Sequence, residues 1–260
     1  MHKLGLKIWS SDAAKNWNLF LECVKSVREG KFDYIELFAV PGSFEAVGKI
    51  IEENVKGLKS VVHAAHISFG FDTGNPESFG KNQELFKDAQ KFADILDAPL
   101  IVTHPGVGTE ENHLEESIRQ IKLLGDSRIA IENMPAACNN TGHALHGSTV
   151  AEMERLLKET GSKFCLDISH ATCAINASGN LDLYTELKKF AALKPSIFHL
   201  SDGNRFSTED VHAHFGEGNY ELKKILTEII PQGSMISMET GGTPVSIAPW
   251  LKDREYLLSL

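Results

Sequence analysis

Eight short apolar runs, each followed by a window with helical periodicity, alternate from one end of this 260-residue chain to the other. Nearly continuous apolar runs are typical of strands buried on both faces of a parallel sheet. At about 30 residues per strand–helix unit, eight units fill the chain, which predicts an α/β fold: a (β/α)8 barrel, with residues 1–260 as a single domain. We expect strands at 4–9, 34–38, 60–64, 99–104, 128–133, 164–169, 196–201 and 235–240. Helices are expected at about 14–29, 43–54, 79–96, 111–124, 149–160, 182–193, 220–230 and 246–258.

An open, doubly wound sheet would also alternate strands and helices. The first strand of such a sheet often leads into a GxGxxG turn that binds a dinucleotide. Here the first predicted strand, LGLKIW, is followed by SSDAAKNW. The closed barrel is therefore favoured.

Residue types that bind metals end six of the eight predicted strands. The strand ends read VVH at His63, IVTH at His104, IAIE at Glu132, CLD at Asp167, IFH at His199 and ISME at Glu239. A parallel barrel carries its active site at the carboxyl ends of its strands, and imidazoles and carboxylates converging there suit divalent metal ions. A single histidine at a strand end is more often structural, but six such residues in matching positions predict a metal-dependent enzyme.

Glu132 and Glu239 are the candidates for catalysis as well as for metal binding. A carboxylate that closes a buried apolar strand is costly unless it is paired or binds a metal. Further candidate ligands lie beyond the strands: His170 in LDISH, and Asp210 and His212 in EDVHAHFGEG. Asp210 alone would pass for a solvated turn residue, and His214 competes with His212 for one role, in which His212 is favoured.

The remaining motifs give weaker signals. Gly106 and Gly108 in HPGVG would let a ligand approach the backbone closely. Arg205 is interpreted as a solvated loop residue, with a phosphate contact as the alternative. Four other histidines are interpreted as non-ligands, although the first of them, on the loop after the third strand, could face the substrate: His66, His113, His143 and His146.

The composition limits the classes of partner. The formal charge is −9, from 35 acidic and 26 basic residues, which argues against broad nonspecific binding of nucleic acid. No apolar run approaches the roughly 20 residues that span a membrane. The four cysteines lack a CxxC spacing and are interpreted as thiols of a cytoplasmic protein. No protein partner is implied.

Taken in order, several motifs resemble the endonuclease IV and xylose isomerase-like superfamily of TIM barrels. The resemblance runs from about residue 60 to 240, and its marks are VVHAAH, VTHPG, IENMP, LDISHA, HLSDG, DVHAHFGEGN and SMET. Each motif is loose by itself, but their order and spacing are specific for the superfamily.

The resemblance to endonuclease IV implies up to three zinc ions. Carried over by motif, His63, His104 and Glu132 would hold the first ion. Glu132 would bridge to a second ion, for which the further ligands would be Asp167, His199 and Glu239. The third ion would be held by His170, Asp210 and His212. Multi-metal centres of this kind cleave phosphodiesters, so the expected substrate is abasic DNA or a smaller phosphorylated compound.

The chain departs from endonuclease IV where that family grips DNA. The loop after the second strand reads LFAVPGSFEA and has no basic residue, and His66 stands where the family's DNA-penetrating tyrosine would sit. These differences weaken the expectation of DNA binding but leave the ligand set intact.

Sugar isomerases and epimerases of the same superfamily give an alternative. They use one Mn, Mg or Co ion, and the matching ligands would be Glu132, Asp167, His199 and Glu239. Two glutamates on opposite sides of a bound sugar could remove and return a proton beside its carbonyl. A metal- or ligand-binding barrel without catalytic activity is a minor third alternative.

Overall fold

Eight parallel strands close into a barrel in chain order. The structure is a computed structural model, which describes residues 1–108, 111–138, 142–180, 182–242 and 244–260. Each strand pairs with the next one along the chain, and the eighth pairs with the first. The strands are β1 Lys3–Trp9, β2 Tyr34–Phe38, β3 Ser60–His63, β4 Ile101–Thr103, β5 Ile129–Glu132, β6 Lys163–Asp167, β7 Ile197–Leu200 and β8 Met235–Met238. The predicted (β/α)8 barrel is confirmed.

Helices follow the strands and pack on the outside of the barrel. They are α1 Asp12–Lys15, α2 Trp17–Arg28, α3 Phe44–Val55, α4 Phe79–Ile95, α5 Glu111–Leu124, α6 Val150–Thr160, α7 Ile168–Ala177, α8 Leu183–Ala192, α9 Leu222–Lys224 and α10 Ala248–Ser259. A π-helical turn at Ile225–Ile229 extends α9. None of the described helices is long and apolar enough to cross a membrane.

Helix α7 is the one long element that the sequence did not predict. The sixth strand was expected to run to residue 169, but it ends at Asp167, whose carboxylate accepts a hydrogen bond from the backbone N–H of His170 at 2.6 Å and caps the helix. The first eight residues of α7 are all buried. A helix that is buried on every side has no polar face and so shows no amphipathic periodicity.

The barrel interior has an apolar layer below the carboxyl ends of the strands. This layer contains Tyr34, Val61, Leu100, Val102, Ala130, Cys165 and Ile197. Side chains two positions apart on a strand point to the same face, so Val61 lies below His63 and Ala130 below Glu132. The apolar layer thus closes the barrel interior to water beneath the strand-end residues.

Gly106 has a structural role that differs from the predicted one. A Cβ atom at this position would collide with the backbone nitrogen of Gly74 and with the hydroxyl of Ser117. The close approach is therefore made by the protein's own backbone, which joins the loop after β3 to the loop after β4.

Candidate metal centre

The Glu132 carboxylate lies at the centre of the strand-end residues. Its Oε2 atom is 3.2 Å from Nε2 of His63 and 3.0 Å from Nε2 of His104. Its Oε1 atom is 2.9 Å from Nδ1 of His199, which also lies 2.8 Å from Oε1 of Glu239. The carboxyl ends of the β-strands thus bring two carboxylates and three imidazoles close enough together to share metal ions.

A second set of donors gathers beside the first. Asp210 Oδ2 lies 2.6 Å from Nε2 of His212 and 3.3 Å from Nε2 of His170. The hydroxyl of Ser169 donates to the other oxygen of Asp210 at 2.8 Å. His212 has φ +47°, a left-handed conformation that is uncommon for residues other than glycine. Backbone strain of this kind clusters at functional sites.

Several of the histidines are oriented by a hydrogen bond from one ring nitrogen to the backbone. In three of them Nδ1–H donates to a backbone carbonyl oxygen: His63 to Ala64 at 2.8 Å, His170 to Asn133 at 2.9 Å and His212 to Glu239 at 2.7 Å. Since a carbonyl oxygen only accepts, the neutral form of each ring carries its lone pair on Nε2, the nitrogen that would bind a metal ion. This is the arrangement that metal-binding histidines adopt in proteins.

Asp167 presents an oxygen without a partner. Its Oδ1 caps α7, whereas Oδ2 is buried and has no hydrogen-bond partner within the described part of the chain. Burial raises the pKa of this carboxyl group to about 6. An unpaired buried carboxylate oxygen is costly, and a metal ion is a partner that would satisfy it.

The charges fit divalent cations. Five carboxylates with largely buried side chains meet here: Glu36, Glu132, Asp167, Asp210 and Glu239. The only lysine or arginine among the described residues that line the cavity is Lys7. Donor atoms lie within 4.8 Å of one another in several groups of the described residues: His63, His104 and Glu132; His170, Asp210 and His212; Glu132, Asp167 and His170; Glu132, Cys165 and His199; and Glu36, His63, His199 and Glu239. Asp167 is thus grouped with His170, whereas His199 and Glu239 are grouped with Glu36 and His63. The donor set therefore suits divalent metal binding.

The ionisation of Glu132 and His104 suits metal binding. Burial raises the pKa of Glu132, but the histidines around it, His199 and His104 foremost, outweigh burial and hold the pKa well below its usual range. Burial lowers the pKa of His104 to about 4, so this ring is neutral near pH 7. A carboxylate and a neutral imidazole are the forms that bind a metal ion. In His170 and His212, burial lowers the pKa, but the neighbouring carboxylates, Asp210 among them, outweigh burial and raise it, so these two rings would lose a proton when they bind a metal ion.

An open cavity of about 340 Å³ leads to the centre. His63, His104, His170 and His212 lie in its wall together with both candidate catalytic glutamates, Glu132 and Glu239. Trp9, Phe38 and Trp250 supply its apolar surface. This volume lies at the small end of the range of ligand pockets in proteins.

Two charged residues of the centre, Glu36 and Lys7, were missed by the sequence reasoning. Glu36 is fully buried, and its Oε2 accepts a hydrogen bond from Nε2–H of His199 at 3.0 Å, which leaves Nδ1 of that ring to face Glu132 and Glu239. Lys7 Nζ lies 2.5 Å from Glu239 Oε1 and 3.6 Å from Glu36 Oε1. Burial lowers the pKa of Lys7, but these carboxylates outweigh burial and raise it above its ordinary value. A charge within an apolar strand was the available signal for both residues.

The other residues singled out from the sequence lie around the centre or away from it. His66 lines the cavity. His214 donates from Nδ1 to Asp253 at 2.7 Å and does not line the cavity. Arg205 is paired with Glu221 at 3.0 Å on the surface, as expected for a solvated loop residue.

Comparison with known proteins decides the family. Residues 24–260 match the family described as "Xylose isomerase-like TIM barrel". The chain belongs to this family. The resemblance inferred from the sequence motifs is thereby confirmed.

Relatives and structural neighbours include both kinds of enzyme expected from the sequence. "Probable endonuclease 4" of Mycobacterium leprae (strain Br4923) is 26% identical over 190 residues, which cover 70% of this chain and 73% of the relative. A solved D-tagatose 3-epimerase-like protein superimposes with a TM-score of 0.71 at 21% identity, covering 99% of this chain and 96% of the other. Endonuclease IV from Thermus thermophilus superimposes with a TM-score of 0.67 at 21% identity, over 99% of both chains. Identities this low in the solved structures carry the fold and leave the choice of reaction open.

Proposed function

We propose that this protein is a hydrolase that depends on several divalent metal ions, zinc foremost, and cleaves a phosphoester bond in a small phosphorylated substrate. The observation that carries the proposal is the double role of the Glu132 carboxylate. One oxygen faces His63 and His104, while the other faces His199. A carboxylate with donors on both of its oxygens is suited to bridge two ions.

The proposed ligands form three sets. His63, His104 and Glu132 would hold one ion; Glu132, Asp167, His199 and Glu239 a second; and His170, Asp210 and His212 a third. When bound, divalent ions at such a centre polarise the phosphoryl group and neutralise charge on the leaving oxygen.

The residues of this chain hold the ligands and limit the access of water to them. Backbone carbonyls fix the rings of His63, His170 and His212, and Glu36 fixes the ring of His199. The apolar layer beneath the ligands and the aromatic wall above them keep the centre in a medium of low dielectric constant, in which electrostatic stabilisation is strong.

The size of the cavity favours a small substrate over duplex DNA. A cavity of about 340 Å³ admits a single small molecule or one extruded nucleotide. Phe38, the last residue of β2, lines the cavity, and the loop that follows it up to Ser43 has no lysine or arginine for a DNA backbone. Abasic DNA is therefore the second choice of phosphorylated substrate.

The experiment measures turnover of zinc-loaded protein on bis(p-nitrophenyl) phosphate, a set of sugar phosphates and an abasic-site oligonucleotide. We expect hydrolysis of at least one substrate by the wild type and its loss in Glu132→Gln. Glu152→Gln is the matched control, because Glu152 also lies beside a histidine, His146, at 3.5 Å but outside the cavity. Absence of hydrolysis across the whole set would refute the proposal.

An isomerase or epimerase of small sugars is a second candidate, supported by the placement of Glu132 and Glu239. Both carboxylates reach Nδ1 of His199, at 2.9 and 2.8 Å, so one ion held there would lie between two possible bases. This reaction would need one Mn, Mg or Co ion. Deuterium appearing from the solvent at the carbon beside the carbonyl of a ketose would support it, and a panel of ketoses without exchange would exclude it.

A further inference from the structure

We propose that Lys7 binds an anionic oxygen of the substrate's phosphoryl group, and that the cavity therefore selects small phosphorylated molecules over neutral sugars. This inference rests on the proposed function and deepens it by assigning a substrate-binding residue.

Strand register places the Lys7 side chain between two carboxylates. Lys7 is the partner of Glu36 in the pairing of β1 with β2. On the other side, Leu6 is the partner of Met238 in the pairing of β1 with β8, which brings Lys7 next to Glu239. All three of these charged side chains point into the barrel, and Lys7 lines the cavity.

The Lys7 ammonium group has donors to spare. An ammonium carries three N–H donors. One of them donates to Glu239 Oε1 at 2.5 Å, whereas the 3.6 Å separation from Glu36 Oε1 is too long for a hydrogen bond. The side chain remains 17% exposed, and its exposed part faces the cavity. Hydrogen-bonding capacity is thus available to a molecule in the cavity.

An anionic substrate needs this cation. The carboxylates of the centre repel a phosphoryl group wherever their charge is not balanced. Among the described residues of the cavity wall, Lys7 is the only lysine or arginine. The Phe38 ring lies 5.8 Å from Nζ and excludes water on one side of the ammonium, which strengthens its interaction with an anion. A neutral sugar would gain little from such a charge.

Glu239 links Lys7 to the metal ions. This carboxylate is the hydrogen-bonding partner of Lys7 in the structure and is also a proposed metal ligand. An ion and the ammonium therefore compete for the same carboxylate. Engagement of Glu239 by an ion would free a further donor of the Lys7 ammonium, so binding of an anion would strengthen when the cavity is loaded with metal.

The test measures binding of inorganic phosphate to the zinc-loaded protein by titration calorimetry. We expect Lys7→Met to bind phosphate at least about tenfold more weakly than the wild type, because a charged hydrogen bond is lost. Lys7→Arg should keep more of the affinity. Lys49→Met is the matched control, since Lys49 lies outside the cavity with 87% of its side chain exposed. The phosphate affinity of this variant should equal that of the wild type.

Metal content separates a role in substrate binding from a structural one. Because Lys7 competes with ions for Glu239, Lys7→Met should retain at least the wild-type metal content while it loses phosphate affinity. Phosphate affinity within twofold of the wild type at unchanged metal content would overturn the inference. If Lys7→Met fails to fold because Glu36 loses its neighbouring cation, the double variant Lys7→Met/Glu36→Gln is compared with Glu36→Gln alone, because Glu36 also holds the ring of His199; phosphate binding should again be at least about tenfold weaker in the variant without Lys7.

The proposed function and this inference fail in different ways. A wild-type protein that takes up no more than one ion refutes the multinuclear centre. A protein with its full metal content whose phosphate affinity is indifferent to Lys7 refutes the inference alone.

Discussion

Replacing Glu132 by glutamine should remove more than one metal ion. The substitution keeps the shape of the side chain but replaces a carboxylate by a neutral amide, which is a poor ligand. In the structure Glu132 contributes to the group that contains His63 and His104 and to the group that contains Asp167. The group formed by His170, Asp210 and His212 does not include it.

The expected magnitude follows from the three proposed ligand sets, two of which contain Glu132. If three ions bind, two of them depend on Glu132, so metal content should fall from about three equivalents to about one. Loss of a group that only orients a ligand lowers metal affinity by about 10- to 100-fold. Loss of a ligand shared by two ions should lower the affinity for each of the two ions by at least this factor. Turnover should fall by about 10³-fold, which corresponds to about 4 kcal/mol of transition-state stabilisation.

The assay combines metal analysis by plasma mass spectrometry with turnover on the best phosphoester substrate. Glu152→Gln should match the wild type in metal content and turnover, because its carboxylate lies outside the cavity. A Glu132→Gln protein that kept all its metal, or lost only one equivalent, would refute the bridging role of Glu132.

Three further predictions concern the loops and the metal ions. His212→Ala should lower the metal content by about one equivalent, whereas His214→Ala should leave it unchanged because that ring is bound to Asp253 outside the cavity wall; metal analysis of the two purified variants compares them. Chelator treatment should lower the melting temperature of the wild type by about 8 °C or more. One ion whose free concentration is about 1,000 times its Kd stabilises the protein by about 4 kcal/mol, and the melting temperature of a domain of this size shifts by about 2–4 °C per kcal/mol. Scanning calorimetry with and without zinc would show no shift if the carboxylates bind no metal. Gly106→Ala should destabilise the fold by about 2 kcal/mol or more, because the new Cβ meets the backbone of Gly74. Gly80→Ala, in α4 with open space around it, should be neutral or stabilising in the same urea titration.

The fold and most of the candidate centre were readable from the sequence for one physical reason. A barrel strand buried on both faces is an apolar run, and a polar residue at its carboxyl end stands out against that background. His63, Glu132 and Asp167 each occupy the last position of a strand, and His199 lies one residue before the end of β7. Closure of the barrel then brings these residues together at one end, whatever the detailed contacts between the strands.

Contacts set by strand register were not readable in the same way. Glu36 meets His199 across 163 residues of sequence, and Lys7 meets Glu239 across 232. Glu36 and Lys7 both lie within a strand, so a search for metal-binding residues at strand ends does not detect them. The link from His214 to Asp253 on α10 also depends on the closed barrel, and neither residue is distinctive in its own segment.

The number of metal ions bound by each chain tests the multinuclear centre most directly. The protein would be purified without chelator or added metal and its metal content measured by plasma mass spectrometry, with His170→Ala beside the wild type. We predict close to three equivalents per chain, mainly zinc, and about one equivalent fewer in the variant. One equivalent or less in the wild type, unchanged by His170→Ala, would contradict the multinuclear centre and leave the one-metal isomerase as the account of this site.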